Sequence, residues 1–92
     1  MSEELESVRG DFWDAVLDER DRQTAMWGTQ THSGHAWTGI LTEEVGEFAA
    51  AVNDERHEEA LDELIQVAAV CLSAYEQSQL RRGLEPAWGD FG

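Results

Sequence analysis

The sequence predicts an all-α fold: a bundle built on one helical hairpin and completed by oligomerisation. Three observations carry this. Apolar residues recur at spacings of three and four along three separate stretches. Pro86 is the only proline, so a single strong breaker interrupts the chain. The third stretch is apolar on nearly every face, which is the signature of a helix covered on all sides.

The first helix is expected from about Ser2 to Met26, with Ser2 as N-cap and Glu3 and Glu4 in the favourable first turn. Leu5, Val8, Phe12 and Val16 form its apolar stripe, and Gly10 weakens it by about 1 kcal/mol relative to alanine. The run from Trp27 to Gly39, rich in Gly, Ser and Thr, breaks the period and reads as a loop. The second helix covers Gly39 to about Asn53 on a stripe of Leu41, Val45, Phe48 and Val52. Asn53 and Asp54 stop it, with Asp54 also available to cap the next helix. The third is expected from about Glu55 to Arg82. Leu61, Leu64, Ala68, Cys71 and Tyr75 mark one stripe, while Ile65, Val67, Ala69, Val70 and Leu72 fill the other faces. Two neighbours from one chain do not cover such a helix, so a second copy is expected against it. The tail, Gly83 to Gly92, reads as a loop whose Trp88 and Phe91 pack on the body or on a partner subunit.

Composition narrows the function. A chain of 92 residues is one domain, residues 1–92, with a core small enough that oligomerisation or disulfides usually support it. Cys71 is the only cysteine, which leaves oligomerisation, and its apolar surroundings make it core filler. A single unpaired cysteine and no signal peptide point to the cytoplasm, and no apolar run is long enough for a membrane span. Twenty acidic residues face six basic ones, all arginine, for a net charge of −14, so a basic nucleic-acid-binding surface is ruled out. With 41% hydrophobic residues and four tryptophans the chain is not disordered. Its acids either mimic a polyanion or gather around cations.

The second and third helices are separated by a very short connection near position 55 and so form an antiparallel hairpin. Glu47 and Glu63 lie eight residues either side of that hinge; Glu44 and Gln66 lie eleven either side. Residues three apart share a helix face, so Glu44, Glu47, Glu63 and Gln66 are expected to meet as a cluster of oxygen ligands. Glu44 stands one turn from Leu41 and Phe48, and Glu63 beside Leu64 and Val67, which puts both toward the interior. Crowded, half-buried carboxylates repel one another unless protonated or neutralised by a hard divalent ion. Magnesium suits such a site, with manganese as a substitute.

LTEEVGEFAAAV (41–52) followed by DELIQVAAV (62–70) resembles the MazG-type all-α nucleotide pyrophosphohydrolases, relatives of the dimeric dUTPases and of phosphoribosyl-ATP pyrophosphohydrolase. The family's mark is EExxE on one helix and ExxD on the next. The first is complete as Glu43, Glu44 and Glu47. The second aligns as Glu63 to Gln66, with glutamine where the family has aspartate. The other register, Glu59 to Asp62, keeps the literal pattern but puts Glu59 almost in the turn; Asp62 then contributes from the rim. The resemblance covers residues 38–75, with RQTAMWGTQTH before it similar to a short single-domain branch. It implies a bundle of the NTP pyrophosphohydrolase type, a homodimer or dimer of dimers, and magnesium on Glu44, Glu47 and Glu63. It also implies cleavage between the α- and β-phosphates, with Glu43 or Glu47 handling the water.

Trp27, Gln30, His32, His35 and Trp37 crowd the segment before the acids. As a base pocket, Trp27 or Trp37 would stack on a nucleobase and Gln30 read its edge; as plain structure, the tryptophans fill the bundle end. With no lysine, triphosphate charge must be met by magnesium and arginine; Arg56 and Arg20 or Arg22 are candidates, although surface pairing is the commoner use of such residues. The competing function is a non-enzymatic acidic binding protein, either a polyanion mimic or a family member whose catalysis lapsed with Gln66. A mimic spreads its acids over the surface, whereas here four ligand positions line up about one hinge.

Overall fold

The computed structural model describes residues 2–28 and 30–80. Those residues form three helices, α1 (Glu3–Trp27), α2 (Gly34–Asn53) and α3 (His57–Leu80), and no strand. The expected tail loop with Trp88 and Phe91 lies outside the described residues, as does Arg82, the expected end of α3. α3 is the middle layer: it packs against both α1 and α2, which do not approach each other closely. No helix among the described residues is long and apolar enough to cross a membrane.

Local chemistry explains the ends. The Ser2 side chain accepts a hydrogen bond from the Leu5 backbone N–H at 3.1 Å, satisfying a donor that the first turn leaves open. α1 stops at Gly28, whose φ of 69° lets its N–H return to Thr24 O. α2 starts earlier than its composition suggests. Ser33 caps it by accepting from Ala36 N, so Gly34 to Thr38, read as loop, are helical. The weak helix-forming tendency of Gly34 and Thr38 is overruled by burial of Gly34 and Trp37.

The hairpin turn is a Schellman motif. Arg56 N–H bonds to Ala51 O, and Glu55 N–H to Val52 O, with Glu55 in the left-handed region at φ 58°. Asp54 closes α2 as expected, and α3 begins two residues later than the sequence suggests, at His57.

The core is thin. Among the described residues Val16, Trp37, Ala51, Ala60, Ala69 and Val70 are the buried hydrophobic ones, and three of these six are alanines on α2 and α3. Small side chains let two helices approach closely but remove little apolar surface from water. The expected stripes are met only in part. Val16 is fully buried and Phe12 half-buried, yet Leu5 and Val8 are exposed, as are Val45 and Val52 on α2. On α3, Leu61, Leu64 and Tyr75 face solvent. Cys71 is exposed too, which corrects its reading as core filler: it lies on that same stripe, covered by neither α1 nor α2.

Candidate metal centre

The hairpin brings together three of the carboxylates that its symmetry singles out. Ligand oxygens of Glu44, Glu47 and Glu63 all lie within 4.8 Å of one another. Glu44 and Glu63 are half-buried, and Glu47 is exposed. Within this trio Glu44 Oε2 and Glu63 Oε2 are buried oxygens without a hydrogen-bond partner. Such orphaned acceptors are costly in a protein interior. Glu44 answers by holding its proton: burial first, then the crowding of the Glu63 and Glu47 carboxylates, push its carboxyl up from 4.5 to about 7.

The donor set fits a hard divalent ion. It is all oxygen, compact and in want of positive charge, and magnesium needs only a few carboxylates, its remaining positions being left to water and phosphate. Glu43 and Asp62 are exposed and do not join the trio. Each sits one residue, or about 100° of helix, from a trio member and so points elsewhere.

Gln66 turns toward α1. Its Oε1 makes a 3.5 Å contact with Gln23 Nε2, and its amide is among the neighbours that favour the charged form of Glu19. Glu19 also accepts both prongs of Arg22, at 2.8 and 2.6 Å, and Gln23 Nε2 at 2.9 Å. Its side chain is only 12% exposed. Led by the Arg22 hydrogen bonds, these partners outweigh the cost of burial and hold the Glu19 carboxyl down at about 2. Next to it Arg20 bonds to Glu76 and to Gln23 Oε1.

Between α1 and the hairpin runs a cleft of about 200 Å³ whose walls include Glu19, Arg22, Gln23, Glu44 and Gln66. Trp27, Gln30 and Trp37, the residues expected to hold a base, line the same cleft. Trp27 is largely exposed, with the Arg22 guanidinium 5.5 Å from its ring centre, a cation–π contact. Trp37 is buried, its indole N–H given to Gln77 Oε1 at 3.0 Å and the His32 ring set edge-on to it at 4.8 Å. Its role is therefore mainly to build the wall. His35 and His57 are exposed. Arg56 stands apart from the cleft, in the hairpin turn, with its guanidinium on Asp54 and Glu59.

Two residues escaped the sequence reading. Gln77, buried on α3, accepts from His32 N–H and Trp37 Nε1 and donates to His32 O, tying the α1–α2 connection down. Nothing in its spacing announces this, because its partners arrive only when the connection folds back. Glu19 was legible: continuing the α1 stripe past Phe12 and Val16 by threes and fours reaches Glu19 and Gln23. The chain matches no protein-family model, no curated protein and no solved structure.

Proposed function

We propose that the chain is a magnesium-dependent nucleoside triphosphate pyrophosphohydrolase of the MazG type, converting NTP or dNTP into NMP or dNMP and pyrophosphate. The observation that supports this best is the pair of orphaned buried oxygens, Glu44 Oε2 and Glu63 Oε2, in a trio that adjoins a cleft walled by Trp27 and Gln30. Glu44, Glu47 and Glu63 would hold the cation, with Gln66 as a neutral neighbour, and a magnesium or manganese ion held there would neutralise phosphate charge and make a water more acidic. As the exposed member, Glu47 orients the attacking water and takes its proton. Water oxygen bonds to the α-phosphorus, the bond to the bridging oxygen of the β-phosphate breaks, and pyrophosphate leaves. Trp27 stacks on the base and Gln30 meets its edge.

The open stripe of Leu61, Leu64, Cys71 and Tyr75 supports assembly with a second copy, as a homodimer or a dimer of dimers. Light scattering of the wild type and of Leu64→Glu tests this: a multimer reduced to a monomer is the expected pair of results. The one free thiol suits the reducing cytoplasm, where nucleoside triphosphates are abundant.

The deciding experiment measures pyrophosphate release from a panel of ribo- and deoxynucleoside triphosphates, with magnesium and with chelator. Release that needs the metal is expected. No pyrophosphate from any nucleotide would leave the chain as an acidic binding protein, a polyanion mimic or a lapsed member of the family.

A further inference from the structure

Beside the cleft that adjoins the acids lies a second cavity, of about 210 Å³, between α1 and α3. The two share Arg20, Gln30 and Ser73 as walls. Glu76, three residues after Ser73 and so on the same face of α3, lines only the second. Helical side chains lean toward the N-terminus, so Glu76 reaches back toward Ser73 and the first cleft. Arg20 donates to Glu76 through Nε at 2.9 Å and Nη2 at 2.7 Å, and both bonds fall on Oε1. That fork fixes the carboxylate and leaves Oε2 unpaired among the described residues. The hydroxyls of Ser73 and Thr24, in the same wall, also make no hydrogen bond among the described residues. Gln77, by contrast, is taken up by His32 and Trp37. The unused capacity here is one carboxylate oxygen and two side-chain hydroxyls. A carboxylate oxygen repels phosphate. It suits a neutral group rich in O–H donors, and its two lone pairs match two adjacent hydroxyls.

We infer that this second cavity receives the hydroxyl edge of the nucleotide's sugar, with Glu76 Oε2 accepting from the 2′- and 3′-hydroxyls and Ser73 bonding beside it, so that ribonucleoside triphosphates are the preferred substrates. This rests on the pyrophosphohydrolase reading and narrows its substrates from both sugar classes to one. The shared walls support the placement. The sugar is the part of a nucleotide that joins base to α-phosphate, and Gln30, the residue assigned to the base edge, stands with Arg20 and Ser73 where the two cavities meet. A base on Trp27 and an α-phosphate near Glu44 leave the sugar between them, with its hydroxyls free to cross that boundary. A 2′-deoxy sugar brings one donor fewer and leaves Oε2 half satisfied. Arg20 acts as a positioning residue, holding the carboxylate so that its second oxygen is the one on offer.

The test measures kcat/KM for pyrophosphate release from the adenine, guanine, cytosine and uracil ribonucleoside triphosphates, each against its 2′-deoxy counterpart, with magnesium and the full chain. A hydrogen bond to a charged group contributes about tenfold or more, so the wild type is expected to favour the ribo form at least about tenfold with whichever base it accepts. In Glu76→Gln an amide keeps both Arg20 bonds on its oxygen but turns a donor toward the cavity, and the ribo-to-deoxy ratio is expected to fall within about threefold. Ser73→Ala removes a neutral partner and should lower the ratio about three- to fivefold. A Glu76 that only paired with Arg20 would slow both sugars alike and leave the ratio at its wild-type value. That result, a wild-type ratio below about tenfold, or a preference for the deoxy form overturns the inference while leaving the pyrophosphohydrolase reading intact. If Glu76→Gln does not fold, Ser73→Ala decides, and an unchanged ratio in it overturns the inference. No pyrophosphate from either member of any pair removes that reading and this inference with it.

Discussion

The two flanks of α3 treat the same side chain in opposite ways. On the α1 flank, Glu19 is enclosed by Arg22, Gln23 and Gln66 and ionises at about 2. On the α2 flank, Glu44 meets Glu63 and Glu47, has an oxygen with no partner, and keeps its proton up to about 7. Both are partly buried glutamates on neighbouring walls of one cleft. The difference shows where folding has already been satisfied and where the molecule carries a deficit. An acid that is fully partnered within the chain holds structure together. One that is crowded by its own kind is stabilised only by something brought from outside.

The sharpest way to break this contrast is to delete acids from each class. Glu47→Ala and Glu63→Ala are expected to lower metal-dependent pyrophosphate release by at least about 100-fold, a loss of roughly 3 kcal/mol in transition-state stabilisation. Glu59→Ala, which removes a partner of Arg56 in the turn, should stay within about threefold. Equal losses in Glu59→Ala and Glu63→Ala would move the site to the other motif register.

Next in size is the anchor at the far end of α3. Gln77→Ala leaves the Trp37 indole and two backbone groups of His32 without partners, and should cost about 2–4 kcal/mol in a chemical denaturation curve.

The pH dependence of stability separates the flanks directly. An acid whose native pKa is raised favours the folded state only while protonated. The Glu44 contribution is therefore lost as pH rises from about 4.5 toward 7. Glu19, lowered to about 2, works the other way: its contribution is full above 4.5 and fades as pH falls toward 2. Without divalent ions, thermal stability is expected to peak near pH 5. Magnesium should move the peak upward, because it requires the ionised form of Glu44. Glu44→Gln should flatten the slope between pH 5 and 7, raise the metal-free melting temperature at pH 7.5, and abolish activity. An unchanged slope in that variant would remove the electrostatic account of the α2 flank.

The smallest expected effect belongs to Arg56→Ala, within about 0.5 kcal/mol of wild-type stability and about twofold of its activity, since exposed ion pairs contribute little.

Much of the α2 flank was legible before any coordinates. The hinge at 55 fixes which residues face one another, and the approach of Glu44, Glu47 and Glu63 follows from counting. The start of α2 was not legible, since Ser33 and the burial of Trp37 outweigh a composition that reads as loop. The α1 flank was legible in its direction only. Continuing the Phe12 and Val16 stripe reaches Glu19 and Gln23, but the pairing of Glu19 with Arg22 and of Arg20 with Glu76 appears only once α1 docks on α3. The burial of Cys71 was misjudged because periodicity reports a face that wants covering, not whether one chain covers it.

Gln77 has a consequence for recognition. By clasping His32 and Trp37 it sets the cleft wall in place when the chain folds, before any ligand arrives. Freezing that stretch then takes nothing from the energy of association. A ligand meeting such a ready-made wall should dock at a rate set mainly by diffusion and charge, and be selected by fit and not by rearranging the protein around itself.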